Sequence, residues 1–116
     1  MTANAGDPPD LFRAFADPTR LRLLSLLSQR ELCVCDLCEI LDEIQPKVSR
    51  HLGTLRRVGL VRVRREGKWK FYSLNRSLSP LQETLLRCVG TCLAELAVLA
   101  EDRKRLESLS AELRCA

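Results

Sequence analysis

The chain has 116 residues, 46% of them hydrophobic and 29% charged, with a formal net charge of +4. That length fits one domain, and the balance of apolar and charged residues excludes an intrinsically disordered chain. No run of 18 apolar residues occurs, which excludes a membrane-spanning helix. The first nine residues lack the basic and apolar regions of a secretory signal, so a cytoplasmic protein is expected. A domain this small buries only about 60–70% of its unfolded surface, so pairing with a second copy is expected to add burial.

Residues 1–7 read as a flexible tail and residues 8–116 as a single domain. Over 8–16, Leu11, Phe12 and Phe15 are spaced as a short apolar helical face. Asp17-Pro18 is a helix start, with Asp as N-cap and Pro at the first helical position. That helix is predicted to reach about Ser28, with Leu23, Leu24, Leu26 and Leu27 on its buried side, and 29–32 to be a connector. A short helix follows over about 35–41, with Asp36 as its cap and Leu37, Ile40 and Leu41 as its stripe. After a turn at 42–44, Pro46 sits in the first turn of a helix that runs to Val58 and stops at Gly59. Its inward residues are Val48, Leu52 and Leu55; its other face carries Gln45, Lys47, Ser49, Arg50, Thr54 and Arg57. The period changes to two over 60–64. Glu66-Gly67 marks a tight turn, and 69–74 returns as the second strand of a hairpin tipped by Arg64, Arg65 and Lys68. From about 78 to 113 the pattern is helical, with Leu81, Leu85, Val89, Leu93, Leu96, Leu99, Leu106, Leu109 and Leu113 apolar and a break near Gly90 or after Ala100. So long a stripe is expected to pack against a partner chain.

Positive charge is confined. Residues 45–70 hold nine Lys or Arg against one acid, Glu66, a local balance of +8, so the remaining 90 residues sum to −4. A basic block on an otherwise acidic chain is the footprint of a polyanion binder. The expected architecture is mainly α with a small β-hairpin: a helix-turn-helix at about 35–58, a wing at about 60–74 and a dimerisation helix at about 78–113. The second helix of such a unit enters the major groove and its early residues meet base edges. Gln45, Lys47, Ser49, Arg50 and His51 occupy those positions, with Thr54 and Arg57 further along the same helix. Gln suits adenine edges, Arg suits guanine and Ser either; Arg64, Arg65 and Lys68 are placed to meet phosphates. His51, the single histidine, reads as a phosphate or packing residue.

Six cysteines in a reducing compartment are ligands or reactive thiols sooner than disulfides. Cys33-Val34-Cys35-Asp36-Leu37-Cys38 places three thiols within six residues. Thiolates prefer soft, thiophilic ions. Trivalent arsenic and antimony are pyramidal and satisfied by three sulfurs, whereas tetrahedral zinc wants a fourth ligand. As(III) or Sb(III) is therefore the expected inducer, with no organic cofactor. Residues two apart on a helix point about 200° from each other, so capture by Cys33 and Cys35 is expected to unwind the start of the short helix. Cys88 and Cys92 are i, i+4 on one helix face. They also align with the apolar stripe, which leaves burial at a dimer interface and a second site, with Cys115, both open. An enzyme is not expected: Cys35-x-x-Cys38 lacks the preceding strand of a thioredoxin-like fold, and no cysteine has an Arg six positions on for a phosphatase-like loop. The alternative reading is a repressor that senses thiol oxidation.

The residues Asp17-Pro18-Thr19-Arg20-Leu21, Glu31-Leu32-Cys33-Val34-Cys35-Asp36-Leu37-Cys38, Gln45-Pro46-Lys47-Val48-Ser49-Arg50-His51-Leu52 and Gly67-Lys68-Trp69 carry a resemblance. Over about 10–100 the chain resembles the ArsR/SmtB family of winged-helix repressors, in particular its arsenical-resistance members. The resemblance implies a homodimer joined through its first and last helices and bound to palindromic double-stranded operator DNA. It implies Cys33 and Cys35 as essential inducer ligands and Cys38 as the third. Zinc-sensing relatives carry Asp and His ligands on the last helix; that helix has no His here, which speaks against zinc there.

Overall fold

The computed structural model describes residues 7–109. Its elements are α1 (Pro8–Phe15), α2 (Pro18–Leu27), β1 (Leu32–Cys33), α3 (Val34–Leu41), α4 (Gln45–Arg57), β2 (Val61–Glu66), β3 (Trp69–Leu74), α5 (Pro80–Thr91) and α6 (Ala97–Leu109). The fold class is as expected, six helices around a small antiparallel sheet. None of these helices is long and apolar enough to cross a membrane.

Local chemistry sets the helix boundaries. The Asp17 carboxylate accepts a hydrogen bond from the Arg20 N–H at 3.0 Å and Pro18 follows at the first helical position, so α2 starts where the sequence indicates. Asp42 takes the left-handed conformation (φ 56, ψ 50) and closes α3, which opens the turn into α4. Gly59 (φ 79) turns the chain after α4, and Gly67 (φ 62) makes the two-residue connection between β2 and β3; both need the freedom of a residue without Cβ. Ser79 and Gln82 form a reciprocal capping box at the start of α5. The Gln82 amide also donates to the Val58 carbonyl at 2.9 Å, which joins the start of α5 to the end of α4.

The core is contiguous. Leu23, Leu24 and Leu26 of α2, Leu37 and Ile40 of α3, and Val48, Leu52 and Leu55 of α4 are all fully buried. The inward sets predicted for those three helices therefore meet in one place. At roughly 25 cal/mol per Å² of apolar surface removed from water, this cluster is the main source of stability.

Three features differ from the sequence expectation. The connector contains a strand: Leu32 pairs with Tyr72 and Cys33 with Phe71, so the sheet has three strands in the order β1-β3-β2. The short helix starts at Val34 with Cys33 as its N-cap, and Asp36 is not the cap. Asp36 lies inside the first turn, 3% exposed, with Oδ2 3.2 Å from Cys33 Sγ. The C-terminal helical stretch breaks between Thr91 and Ala97, near Gly90 as expected, but α6 then folds back on α2 and α3 of its own chain. Leu99 and Leu106 are buried there without a partner. Leu113 lies outside the described residues.

An ion pair explains the return of α6. Arg22 of α2 grips Asp102 of α6 through two hydrogen bonds, at 2.8 and 3.0 Å, and the Asp102 side chain is 2% exposed. Arg105 adds a bond to the Ile40 carbonyl at 2.7 Å. Removing one partner strands a charge, whereas replacing both with apolar groups does not. Asp102→Ala is expected to cost about 3 kcal/mol, the low end for a buried pair because Arg22 stays 19% exposed. The double variant Arg22→Leu/Asp102→Leu should recover most of that loss. Urea denaturation midpoints of the three proteins check this.

Candidate nucleic-acid interface and thiol cleft

Helix α4 presents Gln45, Arg50 and Arg57 to solvent, while Lys47, Ser49 and Thr54 are half-buried. Lys47 forms an ion pair with Glu43 at 3.0 Å one turn earlier, and the Thr54 hydroxyl bonds back to the Arg50 carbonyl. The exposed side of α4 and the tip of the β2–β3 hairpin carry the basic residues singled out in the sequence.

His51 does not lie on that exposed side. It is 9% exposed and faces α1 and α2. Its Nδ1 is 3.1 Å from Arg20 Nη1 and 3.7 Å from the Asp17 carboxylate. Arg is always a donor, so Nδ1 accepts and the ring is neutral, with its proton on Nε2. The same guanidinium bonds the carbonyls of Ala14 and Arg13, so one arginine ties the end of α1 to α4. Of the two roles expected for His51, the structure favours packing.

Arg64 is also more engaged than its place on the hairpin suggested. Its guanidinium bonds both oxygens of Glu31, at 2.9 and 3.2 Å, and Glu66 at 2.8 Å. It lies 4.6 Å over the Phe71 ring. The hydrogen bond from Arg64 holds the Glu31 carboxyl below its usual range, and Glu31 and Glu66 together raise the Arg64 guanidinium. Arg65 and Lys68 remain exposed at the tip, Lys68 5.5 Å from the Trp69 ring.

The first two cysteines of the cluster meet at a junction. Cys33 is 1% exposed, in extended backbone at the end of β1, and packs on Phe71 with Cys35 and Trp69 beside it. It is disulfide-bonded, which corrects the expectation of free thiols at this position. Cys35 and Cys38 lie three residues apart on α3, both half-buried. Burial, and then the neighbouring Cys35, push the Cys38 thiol above its usual range. A cleft of about 280 Å³ opens between these elements. It is lined by Cys33 and Cys35, by Gln45 and Ser49 of α4, and by Lys68 and Trp69 of the hairpin. Cys38 is not among its lining residues and packs toward the main core. The helical-geometry expectation is corrected here. Cys33 precedes the helix, so it is not held 200° from Cys35, and both reach the same cleft. Among the described residues no three Cys, His, Asp or Glu side chains converge as a ready-made ion site.

Cys88 and Cys92 sit one turn apart at the end of α5, half-buried and exposed respectively. Cys115 lies outside the described residues. Glu31, Trp69 and Phe71 were not marked as site residues from the sequence. Glu31 and Trp69 stand within the motifs quoted above, but the contacts that give them roles span 33 or more positions.

Comparison with known proteins fits this arrangement. Residues 17–63 match the family model described as "Bacterial regulatory protein, arsR family". The chain is 41% identical over 103 residues to the arsenic resistance transcriptional regulator ArsR2 of Pseudomonas putida, covering 88% of each chain. The chain belongs to the ArsR family. It is also 55% identical over 69 residues to the arsenical resistance operon repressor of Escherichia coli, a match spanning 59% of each protein. Among solved structures, HlyU from Vibrio cholerae superposes with a TM-score of 0.65 at 33% identity, covering 84% of this chain and 98% of that one. The E. coli and P. putida relatives are named as an operon repressor and a transcriptional regulator, and this ArsR-family chain is a transcriptional regulator.

The buried imidazole yields a pH prediction. Burial pushes the His51 pKa down; Asp17 opposes this, while Arg20, Arg50 and Lys47 add to it. A base whose folded pKa lies below its unfolded value near 6.5 favours the fold while neutral. That contribution is present above pH 6.5 and lost as pH falls through the folded pKa, when a protonated ring must face Arg20. His51→Asn, which keeps an acceptor near Nδ1, is expected to reduce the loss of stability between pH 7.5 and 5. Thermal midpoints across that range check it.

Proposed function

We propose that this regulator is a homodimeric repressor of arsenical-resistance genes. It holds operator DNA through α4 and the β2–β3 hairpin, and releases it when As(III) or Sb(III) binds Cys33, Cys35 and Cys38. The observation that carries this reading is the cleft that brings together Cys33 and Cys35, the start of α4 and the hairpin. Cys33 is disulfide-bonded in this structure, so capture of the inducer takes place in the reduced protein. The names of the E. coli and P. putida relatives support arsenic as the inducer.

The chemistry is ligand exchange without redox change. Arsenous acid gives up three hydroxyls to three thiols, forming three As–S bonds and releasing three waters. Cys33 and Cys35 already face one space; Cys38 must turn from the core, or the first turn of α3 must shift, to complete the set. Cys33 is also a strand residue paired with Phe71 of β3. Drawing its sulfur toward α3 strains that pairing and moves the hairpin against α4, where Gln45 and Ser49 line the same cleft. A ligand that favours the moved arrangement disfavours the DNA-bound one, and the coupling is reciprocal. DNA contacts are assigned to Gln45, Ser49, Arg50, Thr54 and Arg57 on α4, with Lys47, Arg65 and Lys68 at phosphates. Arg64 is free for DNA only when it leaves Glu31. The dimer is supported by Phe12 on α1 and by Leu96 and Val98 around the α5–α6 break, which are 51%, 47% and 45% exposed.

Three predictions test the reading. Cys33→Ser and Cys35→Ser should keep operator affinity while losing release by arsenite in a gel-shift or anisotropy titration; normal release by both would remove these thiols from the site. In the parent protein Trp69, the sole tryptophan, should change emission on arsenite addition, because it packs beside both thiols. Release by peroxide with no response to arsenite would favour thiol oxidation instead. Arg50→Ala should weaken operator binding by about 1–3 kcal/mol with arsenite stoichiometry unchanged in mass spectrometry.

A further inference from the structure

The second thiol pair has its own geometry. Cys88 lies in the last turn of α5, and Cys92 caps it in helical conformation (φ −68, ψ −35), its N–H bonded to the Cys88 carbonyl. Residues four apart on a helix are neighbours on one face, with Cβ atoms about 5–6 Å apart. The neighbouring Cys92 side chain, and then burial, hold the Cys88 thiol above its usual range. Cys92 is exposed and Cys88 half-buried, so a solute reaches them without opening the core. The Thr91 hydroxyl donates to the Arg87 carbonyl at 2.8 Å and stands 3.7 Å from Cys92 Sγ. Neither cysteine lines the cleft that holds Cys33 and Cys35. Among the described residues no third Cys, His, Asp or Glu joins the pair as an ion site.

A donor set of two thiols selects by valence. Inorganic arsenous acid bound there would keep one hydroxyl and lack its third sulfur. A monosubstituted species R–As(OH)2 has two exchangeable oxygens and one carbon that does not exchange. We infer that Cys88 and Cys92 form a second, independent binding site for monosubstituted trivalent arsenicals. Two As–O bonds break, two As–S bonds form, each thiol proton leaves in a water molecule, and arsenic stays trivalent throughout. The product is a clamp across the final turn of α5, at the point where the chain breaks toward α6. This inference does not depend on the role proposed for Cys33, Cys35 and Cys38.

The test uses the full chain and phenylarsine oxide, which hydrates to such a diol. In a variant with Cys33, Cys35, Cys38 and Cys115 replaced by serine, native mass spectrometry should find one phenylarsenic group bound with loss of two waters. Affinity for it should exceed that for arsenite by at least about ten-fold. Adding Cys88→Ser and Cys92→Ser should abolish the adduct. A second measurement needs no variant. Trypsin cuts after Arg87 and Arg103, so both thiols fall on one peptide. In the parent protein phenylarsine oxide should protect both from alkylation by iodoacetamide, and a dithiol chelator should reverse the protection. Absence of the adduct, arsenite binding as tightly as phenylarsine oxide, or alkylation of both thiols despite the reagent would each overturn the inference, including the case in which a dimer contact covers Cys92.

Discussion

The pairing of Cys33 with Phe71 is the constraint around which the functional half of the molecule is arranged. Two residues of strand are a small structure, but they fix three things together. They place the first thiol of the cluster in extended backbone, ahead of the helix that carries the other two. They attach the hairpin to the helix-turn-helix through β3, at Phe71 and Tyr72. They bury the Cys33 side chain on an aromatic ring instead of leaving it in solvent. A sulfur held in this way cannot change partners without affecting the sheet. Its neighbours are therefore mechanical as well as chemical: Trp69 and Phe71 belong to the hairpin, Gln45 and Ser49 to α4.

The Glu31–Arg64 pair adds a second tie beside the first. It joins the residue just before β1 to the middle of β2, with Arg64 also stacked over Phe71. Arg64 is exposed and Glu31 only half-buried, so the pair is worth little as stability. Its interest lies in charge allocation. Of the basic residues confined to 45–70, Arg64 and Lys47 are already engaged with carboxylates, whereas Arg50, Arg57, Arg65 and Lys68 present their charge outward. The polyanion footprint legible in the composition is therefore narrower in the folded chain than in the sequence.

Much of the fold was legible because its signals are local. The Asp17-Pro18 start, the Pro46 first turn, the switch from helical to alternating period after Gly59 and the Glu66-Gly67 turn each depend on a few adjacent residues. What escaped depends on distant partners. Leu32 and Cys33 show no alternation in so short a run and become a strand only because β3 lies beside them. The fold-back of α6 depends on Arg22 meeting Asp102, eighty positions later, and His51 is buried through Arg20, thirty-one positions earlier. The Ser79-x-x-Gln82 capping box, by contrast, was a local signal that would have set the start of α5. For the site, the three clustered cysteines were visible at once. That Cys33 and Cys35 share one cleft while Cys38 packs apart followed from where the helix begins, a boundary that one residue of uncertainty obscures.

Gln82 carries a consequence for scale. By capping α5 and gripping the Val58 carbonyl, it makes the end of the reading helix and the start of α5 one rigid corner. In a two-fold dimer assembled along α5, such a corner acts as a lever arm. A small change of tilt at the far end of α5 is delivered at α4 as a change in separation between the two reading helices. Half-sites on DNA repeat at one helical turn, about 34 Å, and tolerate little error in that span. Spacing along the double helix would then be a quantity that this glutamine helps to set.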